Sequence, residues 1–490
     1  MEKVYDLVVI GAGPGGTPVA MESAKLDSKK SIALIDTLGE LGGECLFQGC
    51  IPSKILEASA QHIKELEQLL DFGIELQEKH YNLVWEKIKQ RKEEILRRRT
   101  AAAKEFAQSS GNIDILKGYA SFVSPQSIEL RKEDGSVSII KFEKALIATG
   151  SKTFTPRYSG NAADAIMNNV EFFAKMELPK SLSIIGSGAI AIEFAQILSA
   201  LGVEINLFIR GAKILKNIDS KASDIVLEKM RKDANIHLFF NANIESIEHK
   251  EELLEITYLQ DGVSKSLLCQ KVLSATGRIA NIEGLHLQKA GVEYSKRGII
   301  TTEALQTSNK NIFANGDVVE NFPKFAHTAQ YAAHLIAQNL FLQHNFFQPD
   351  FSKNSWVLFS MPNIATAGRT EAEATSAGIE TICDRFFFNS EAKSQIEEQE
   401  SGYLEFVVQK STQQIIGITI VHSEAHAIAG EAALIVAKKL TLKELIDTIH
   451  PHPTTSESFV MLAKQMMGAI MLEKLENPFI QFLLKLERLI

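Results

Sequence analysis

Cys45 and Cys50 stand five positions apart in the stretch GGECLFQGCIPSK, in a chain with only four cysteines. Two thiols this close bind a metal, form a structural cross-link or do redox work. A tetrahedral zinc site would need two or more further Cys or His ligands at short spacing. Cys269 and Cys383 stand far off and alone and read as inert thiols, so no metal is expected. A disulfide meets a geometric obstacle, because five residues of regular helix rise by about 7.5 Å, more than the cross-link spans. The segment is therefore expected to be non-helical or distorted, which Gly42, Gly43, Gly49 and Pro52 allow. A strained disulfide in a reducing compartment is labile, which favours catalysis over stapling. A nearby helix N-terminus and Lys54 would stabilise a thiolate here.

Thiol exchange also needs a base, since a dithiol must lose a proton before it attacks and a leaving thiolate must regain one. The stretch IHPHPTTSE (449–457) carries histidines and a glutamate, and a histidine oriented by a carboxylate fits that work. Standing alone, this stretch would read as a proline-rich surface turn. Beside the cysteine pair it reads as the acid–base partner.

These groups must be carried by folded elements, and two glycine loops say which. Gly11, Gly13 and Gly16 follow the strand-like run Val4–Ile10 and open a helical pattern, the context in which glycines let backbone approach a pyrophosphate. Pro18 falls in the first helical turn, where it costs little. Asp36 closes the next strand about 20 residues on, placed to accept ribose hydroxyls. The pattern repeats at Gly186-Ser187-Gly188-Ala189-Ile190-Ala191, with Ala in place of the third glycine. Its following strand ends in Arg210, with Lys213 and Lys216 beyond and no carboxylate. Cations there suit a 2′-phosphate, which favours NADPH over NADH. Two dinucleotide loops in one chain suggest a flavin and a nicotinamide working in relay. The NGD turn (315–317) fits, since a strand-end carboxylate, Asp317, can meet a ribityl chain.

The remaining features bound the class. The chain has 490 residues, which suggests about three domains. It is 45% hydrophobic and 23% charged, ordinary for a globular protein. The net charge of −8 argues against nucleic acid and against simple attachment to acidic lipid. The first strand begins at once after Met1, so no signal peptide is expected. The most apolar stretch, Ser181–Gly202, carries Glu193 and several glycines and is a poor membrane span. A cytoplasmic protein is expected. Residues 55–110 have helical periodicity and include RKEEILRRR, a run that reads as a solvated helix face rather than an anion site. Residues 113–140 alternate like antiparallel strands. From about 351 onward short strands (VLF, YLEFVVQ, IIGITIV) mix with helices.

Taken together, GAGPGG, GGECLFQGCIPSK, ATG, GSGAIAIE, ATGR, NGD and HPHPTTSE make the chain resemble the class I pyridine nucleotide–disulfide oxidoreductases, over nearly its whole length. CIPSK and H-x-H-P-T-x-S-E bring it closest to the dihydrolipoyl dehydrogenase group. The resemblance implies an α/β fold: two Rossmann-like dinucleotide-binding domains, glutathione-reductase-like, plus a C-terminal α+β dimerisation domain. The expected boundaries are 1–152 for FAD binding with the redox pair, 153–280 for NAD(P), 281–350 for a return to the FAD or central domain, and 351–490 for the interface domain. It implies a homodimeric flavoprotein with shared active sites, acting on a small dithiol or disulfide or on a lipoyl domain. Cys45 would be the interchange thiol and Cys50 the charge-transfer thiol, bonded as a redox disulfide. Lys54 would lie near the flavin, paired with Glu193. His452 would be the base and Glu457 its partner, reaching the cysteine pair of the other subunit.

FAD would be held by Gly11, Gly13, Pro14, Gly15, Gly16, Asp36, Gly43, Lys54, Ala120, Thr149, Gly150, Asp317 and Ala326. NAD or NADP would be held by Gly186, Gly188, Ile190, Arg210, Lys216 and Gly277. The chain departs from the family pattern at several points. Glu44 replaces the usual Thr, an anion expected to raise the thiol pKa values or repel acidic substrates. Phe47 and Gln48 replace Asn-Val, and Ala280 stands where a Pro is usual. Ala120 stands where many relatives have Gly near the adenine. Arg210 resembles the glutathione-reductase branch instead, so a reductase of another small disulfide, driven by NADPH, is the rival reading. The apolar tail NPFIQFLLKLERLI is expected to be a helix over the dimer interface, with membrane or partner docking as the alternative.

Overall fold

The computed structural model describes residues 3–76, 81–342 and 347–476. The apolar tail expected to cover an interface lies outside the described residues. The chain divides into two compact units, Met1–Ile214 with Ala234–Phe351, and Leu215–Asp233 with Ser352–Ile490.

The first unit begins β1 (Lys3–Ile10), α1 (Thr17–Leu26), β2 (Ile32–Asp36), α2 (Gly43–Phe47), α3 (Cys50–Gln68), α4 (Trp85–Ser109), β3 (Ile113–Lys117), β4 (Tyr119–Ser124), β5 (Ser127–Arg131) and β6 (Val137–Ile147). Its sheet runs β3-β2-β1-β6-β5-β4, and Ile312–Ala314 also pairs with β6. β1 sits centrally, parallel to both β2 and β6, with Val8 opposite Ala33 and Ala145. Leu7, Val8 and Val9 are fully buried. That is why β1 reads as a continuous apolar run and not as an alternation. The strands expected over 113–140 are present, but they are not all antiparallel. β3 returns after the long helix α4 and joins β2 in parallel, while β4, β5 and β6 form the antiparallel meander. A crossover helix permits parallel return, whereas the short links between β4, β5 and β6 do not.

The second dinucleotide unit repeats the first. Its parallel sheet runs Ile236–Phe240, Glu204–Ile209, Ser181–Ile185, Lys271–Ser274 and Ile166–Met167. The helix Ala189–Ala200 follows its glycine loop, with Ala191, Ile192 and Ala195 fully buried. A three-stranded antiparallel sheet, Ala242–Lys250, Leu253–Gln260 and Val263–Cys269, is inserted before the return strand.

In the other unit, five antiparallel strands run Ser355–Leu358, Asn363–Gly368, Ile415–His422, Tyr403–Gln409 and Thr381–Phe387. The helices Ala425–Ala437, Leu442–Ile446 and Glu457–Glu476 share one hydrophobic core with this sheet, through Phe406, Ile420, Ile435, Phe459 and Leu462. Asp219, just before the helix Ser220–Arg231, accepts from Tyr403 Oη at 2.5 Å and caps its own helix through the Ala222 N–H. These contacts tie that short segment to the five-stranded sheet.

The phosphate turn between β1 and α1 is so tight that a Cβ on Gly16 would stand 1.9 Å from the Gly11 carbonyl oxygen. Gly16→Ala must therefore displace backbone. It is expected to cost about 1–3 kcal/mol of stability and to lower flavin retention, read by urea unfolding and by bound-flavin absorbance. Wild-type stability in this variant would refute the packing account of the turn.

Candidate active site

The two cysteines lie on different helices. Cys45 is in the short α2, and Cys50 is the first residue of α3. Between them Gln48 and Gly49 leave helical geometry, Gly49 at φ −139° and ψ −105°. The break removes the axial rise that a continuous helix would impose, so the distortion expected from the spacing is real and sits at Gln48–Gly49. α2 closes with the Gln48 N–H donating to the Glu44 carbonyl, and α3 opens with the Ser53 N–H donating to the Gly49 carbonyl. The approach also needs Gly43: at φ +57°, a Cβ there would stand 2.6 Å from the Cα of Gly13 in the phosphate turn.

The sulfurs are electrostatically unequal. The two are free cysteines, and they share a hydrogen bond. That bond with Cys50, then burial, pushes the Cys45 thiol up. The same bond pulls Cys50 down, and the Lys54 ammonium adds to the effect. Cys50 also occupies the N-terminus of a 19-residue helix with no side-chain cap, where the dipole favours an anion. Of the two, Cys50 is therefore the sulfur favoured as a thiolate and Cys45 the one favoured as a thiol. Lys54, one turn along α3, pairs with Glu193 at 2.8 Å. Glu193 lies on Ala189–Ala200, so this ion pair joins the first nucleotide unit to the second. Cys269 is buried, and burial pushes the half-buried Cys383 up to about 11. Both fit the expectation of inert thiols.

Glu44 is a correction to the sequence reading. Its carboxylate is held by both terminal nitrogens of Arg278, with Nη1 at 2.7 Å from Oε1, and it accepts from Asn169 Nδ2 at 3.1 Å. The charge is thereby neutralised, and the causes that raise the Cys45 thiol are Cys50 and burial. Arg278 Nε donates to Ser151 Oγ at 2.8 Å, and Ser151 Oγ donates to Asp317 at 2.6 Å. Asn169 also donates to the Gln48 carbonyl at 2.8 Å, on the broken segment itself. Arg278, Ser151 and Asn169 escaped the sequence reading. Only Arg278 left a signal, as the last letter of ATGR.

The nucleotide-loop residues fall where expected on the backbone. Gly11, Gly13, Pro14, Gly15 and Gly16 form the turn into α1, and Gly186 and Gly188 form the turn into Ala189–Ala200, whose second residue is Ile190. Neither helix has a side-chain N-cap or an acid in its first turn, so both N-termini are left for an anion. Around Gly188 a Cβ would meet nothing within 4 Å, which leaves room for a phosphate. Asp36 sits at the end of β2, where its carboxylate accepts from the Ala12 and Leu38 N–H groups. Thr149 Oγ1 donates to the Asn281 carbonyl, and Gly150 follows it. Gly277 lies in the turn after Lys271–Ser274, Ala120 is in β4, and Ala326 starts the helix Ala326–Phe341. Asn315 donates to the Gly15 carbonyl at 3.0 Å, pinning the turn that carries Asp317 to the phosphate loop. Arg210 directly follows Glu204–Ile209 in the first unit, whereas Lys216 belongs to the second.

His452 belongs to the second unit too. Its Nδ1 lies 3.0 Å from Glu457 Oε2, and the histidine is 70% exposed while the glutamate is 15% exposed. Glu457 also accepts from the Thr454 N–H, which fixes the carboxylate. The His450 side chain is 5% exposed and its Nε2 lies 2.9 Å from Glu431 Oε1.

The sequence matches the family described as "Pyridine nucleotide-disulphide oxidoreductase" over residues 5–333, and that family's dimerisation domain over 354–463. The chain belongs to this family. Relatives include the dihydrolipoyl dehydrogenase of Bacillus subtilis, 28% identical, covering 95% of this chain and 97% of the relative. The dihydrolipoyl dehydrogenase of Buchnera aphidicola subsp. Baizongia pistaciae is 32% identical, covering 95% and 96%. Among solved structures, the Cu(II) complex of the HOCl-induced flavoprotein disulfide reductase RclA from Escherichia coli superposes with a TM-score of 0.82 at 24% identity, covering 95% and 100%. At that identity the likeness shows the fold.

As a family member the protein is an FAD-dependent dithiol–disulfide oxidoreductase that works with NAD(P), and its dimerisation domain marks a homodimer. The two uncapped glycine turns fit two dinucleotides. Among the described residues no helix is long and apolar enough to cross a membrane.

Removing the Lys54 cation removes a stabiliser of the Cys50 thiolate. In Lys54→Met the Cys50 pKa is expected to rise, so that thiolate appears at higher pH and alkylation at a fixed neutral pH slows. An unchanged pH profile of thiolate absorbance would show that Lys54 does not act on Cys50.

Proposed function

We propose that this enzyme moves an electron pair between a dihydrolipoyl-type dithiol and NAD(P) through Cys45 and Cys50. The observation that carries the reading is the unequal thiol pair across the Gln48–Gly49 break, with Cys50 at a helix N-terminus beside Lys54. In the oxidising direction His452 takes a proton from the substrate dithiol, and the thiolate attacks Cys45 of the Cys45–Cys50 disulfide. Cys50 leaves as a thiolate, held by the α3 N-terminus and Lys54. The second substrate thiol then gives its proton to solvent and its sulfur displaces Cys45, which takes the proton held by His452, and the substrate departs as a disulfide. A flavin held by the first glycine turn and Asp317 would supply the route by which the electron pair of the cysteine dithiol reaches the nicotinamide as hydride.

In this reading Glu457 orients His452 and stabilises its protonated form. The pair serves the cysteines of the partner subunit, so each active site is shared. Gly11, Gly13, Pro14, Gly15, Gly16, Asp36, Gly43, Lys54, Ala120, Thr149, Gly150, Asp317 and Ala326 hold the flavin. Gly186, Gly188, Ile190, Gly277, Arg210 and Lys216 hold the nicotinamide nucleotide. The proposed domain limits stay 1–152, 153–280, 281–350 and 351–490, in a cytoplasmic enzyme. Arg210, at a strand end without a carboxylate, supports NADPH over NADH. It also keeps a second reading in play, an NADPH-dependent reductase of another small disulfide.

Steady-state turnover with each nicotinamide, against lipoamide and glutathione disulfide, tests both readings. Lipoamide is expected to be the better disulfide, and NADPH the better reductant by tenfold or more. Turnover of lipoamide with NADH alone would overturn the nucleotide assignment. His452→Gln is expected to lose about 10²–10⁴-fold in turnover. A loss of less than tenfold would remove it as the base.

A further inference from the structure

A cavity of about 630 Å³ opens beside Cys45, at the phosphate-turn end of α1 and against one face of α4. Its size suits a small organic molecule. α4 contributes Ile95, Arg98, Arg99 and Ala102 to the wall. Those positions follow the i, i+3, i+4, i+7 spacing of one helix face. Leu46 and Ile51 add apolar surface, and the lining contains two arginines and no carboxylate.

The sequence reading assigned RKEEILRRR to a solvated face, and part of the run departs from it. Lys92 is buried and donates to the Phe173 carbonyl at 3.1 Å, and Trp85 Nε1 donates to the Met176 carbonyl at 2.6 Å. Arg91 Nη1 donates to the Ile55 carbonyl on α3 at 3.3 Å. These three contacts fix the rotation of α4, so the face it turns to Cys45 is set by packing. The arginines then divide by role. Arg97 grips Glu94 with two hydrogen bonds of 3.0 and 2.9 Å. Arg98 pairs with the same carboxylate more loosely, its closest approach being Nε at 3.4 Å from Oε1. Arg99 has no carboxylate partner among the described residues.

We propose that Arg98 and Arg99 make this cavity an anion-selective pocket, one that admits an aliphatic disulfide or dithiol bearing a carboxylate in preference to a neutral one. The inference rests on the reading that Cys45 is the sulfur that meets substrate. An apolar wall takes the aliphatic chain, and two guanidinium groups offer forked donors to a carboxylate, which Arg does better than Lys. Arg99 also lies within electrostatic reach of the Cys45 sulfur, where its charge favours the thiolate. A negatively charged reagent would therefore be both drawn in and met by a more reactive sulfur. Glu44 does not oppose this, because Arg278 already holds it.

Two measurements on the FAD-loaded, full-length protein separate the inference from the reading beneath it. In the first, the reduced enzyme is alkylated with iodoacetate and with iodoacetamide, and the rate at Cys45 is followed by peptide mapping. The reagents differ by one negative charge, so their rate ratio reports the charge of the pocket without any assumption about substrate. The ratio is expected to fall at least fivefold in R98Q/R99Q, to survive in R98K/R99K, and to change less than twofold in R97Q. In the second, kcat/KM is compared for lipoate and lipoamide, which share a ring and differ in the carboxylate. That ratio is expected to fall by a similar factor in R98Q/R99Q, mainly through KM. An alkylation ratio unchanged by R98Q/R99Q overturns the anion pocket whatever the turnover shows. A falling alkylation ratio, with no turnover of either lipoyl compound, supports the pocket and overturns the dihydrolipoyl reading instead.

Discussion

Everything at the redox site depends on one break in a helix. Two sulfurs five positions apart cannot meet along continuous α-helix, and the chain solves this by ending α2 at Phe47 and restarting α3 at Cys50. The restart gives more than proximity. It puts Cys50, and not Cys45, at an uncapped helix N-terminus, so the two thiols are pushed in opposite directions, Cys50 toward the anion and Cys45 away from it. The asymmetry that a dithiol exchange needs is thus a by-product of where the helix begins.

The break must be held from outside, because two residues of irregular backbone have little stiffness of their own. Three contacts do this. The Gly43–Gly13 approach seats α2 against the phosphate turn, and Asn169 holds the Gln48 carbonyl. The Glu44–Arg278 pair clamps the start of α2 to a strand that follows the second nucleotide unit. Through Ser151 the clamp continues to Asp317, which Asn315 in turn fixes to the first phosphate loop. With Lys54–Glu193, the two nucleotide units and the thiol pair become one polar framework. A charged residue that looked like a hazard beside the attacking sulfur is therefore part of the scaffold, because its counter-charge arrives from more than two hundred positions away in the chain.

The α4 arginines carry the same lesson with the opposite sign. Their run alternates with acids, and helical spacing alone makes such a run a solvated stripe. What moves Arg98 and Arg99 into a cavity wall is the rotation of α4, set by Lys92, Trp85 and Arg91 reaching carbonyls on other elements. No local rule of helix periodicity reports that rotation.

The sequence by itself determined the classes of part. Glycine spacing after apolar runs announced two dinucleotide turns, since only glycine permits the close backbone approach, and a break between Cys45 and Cys50 was legible in the GGECLFQGCIPSK stretch because a disulfide there forbids a regular helix. His452 with Glu457 was equally legible, being a local pair that the structure holds at 3.0 Å. The tertiary structure alone decided the charges those parts experience. Glu44 is neutralised by Arg278, and Lys54 is anchored by Glu193. β3 lies parallel to β2, and Arg98 and Arg99 line the cavity beside Cys45 while Arg97 is held to Glu94 by two hydrogen bonds. Each of these outcomes is a long-range pairing or a helix rotation, and Coulombic and packing energies depend on distance in space, which one-dimensional spacing does not encode.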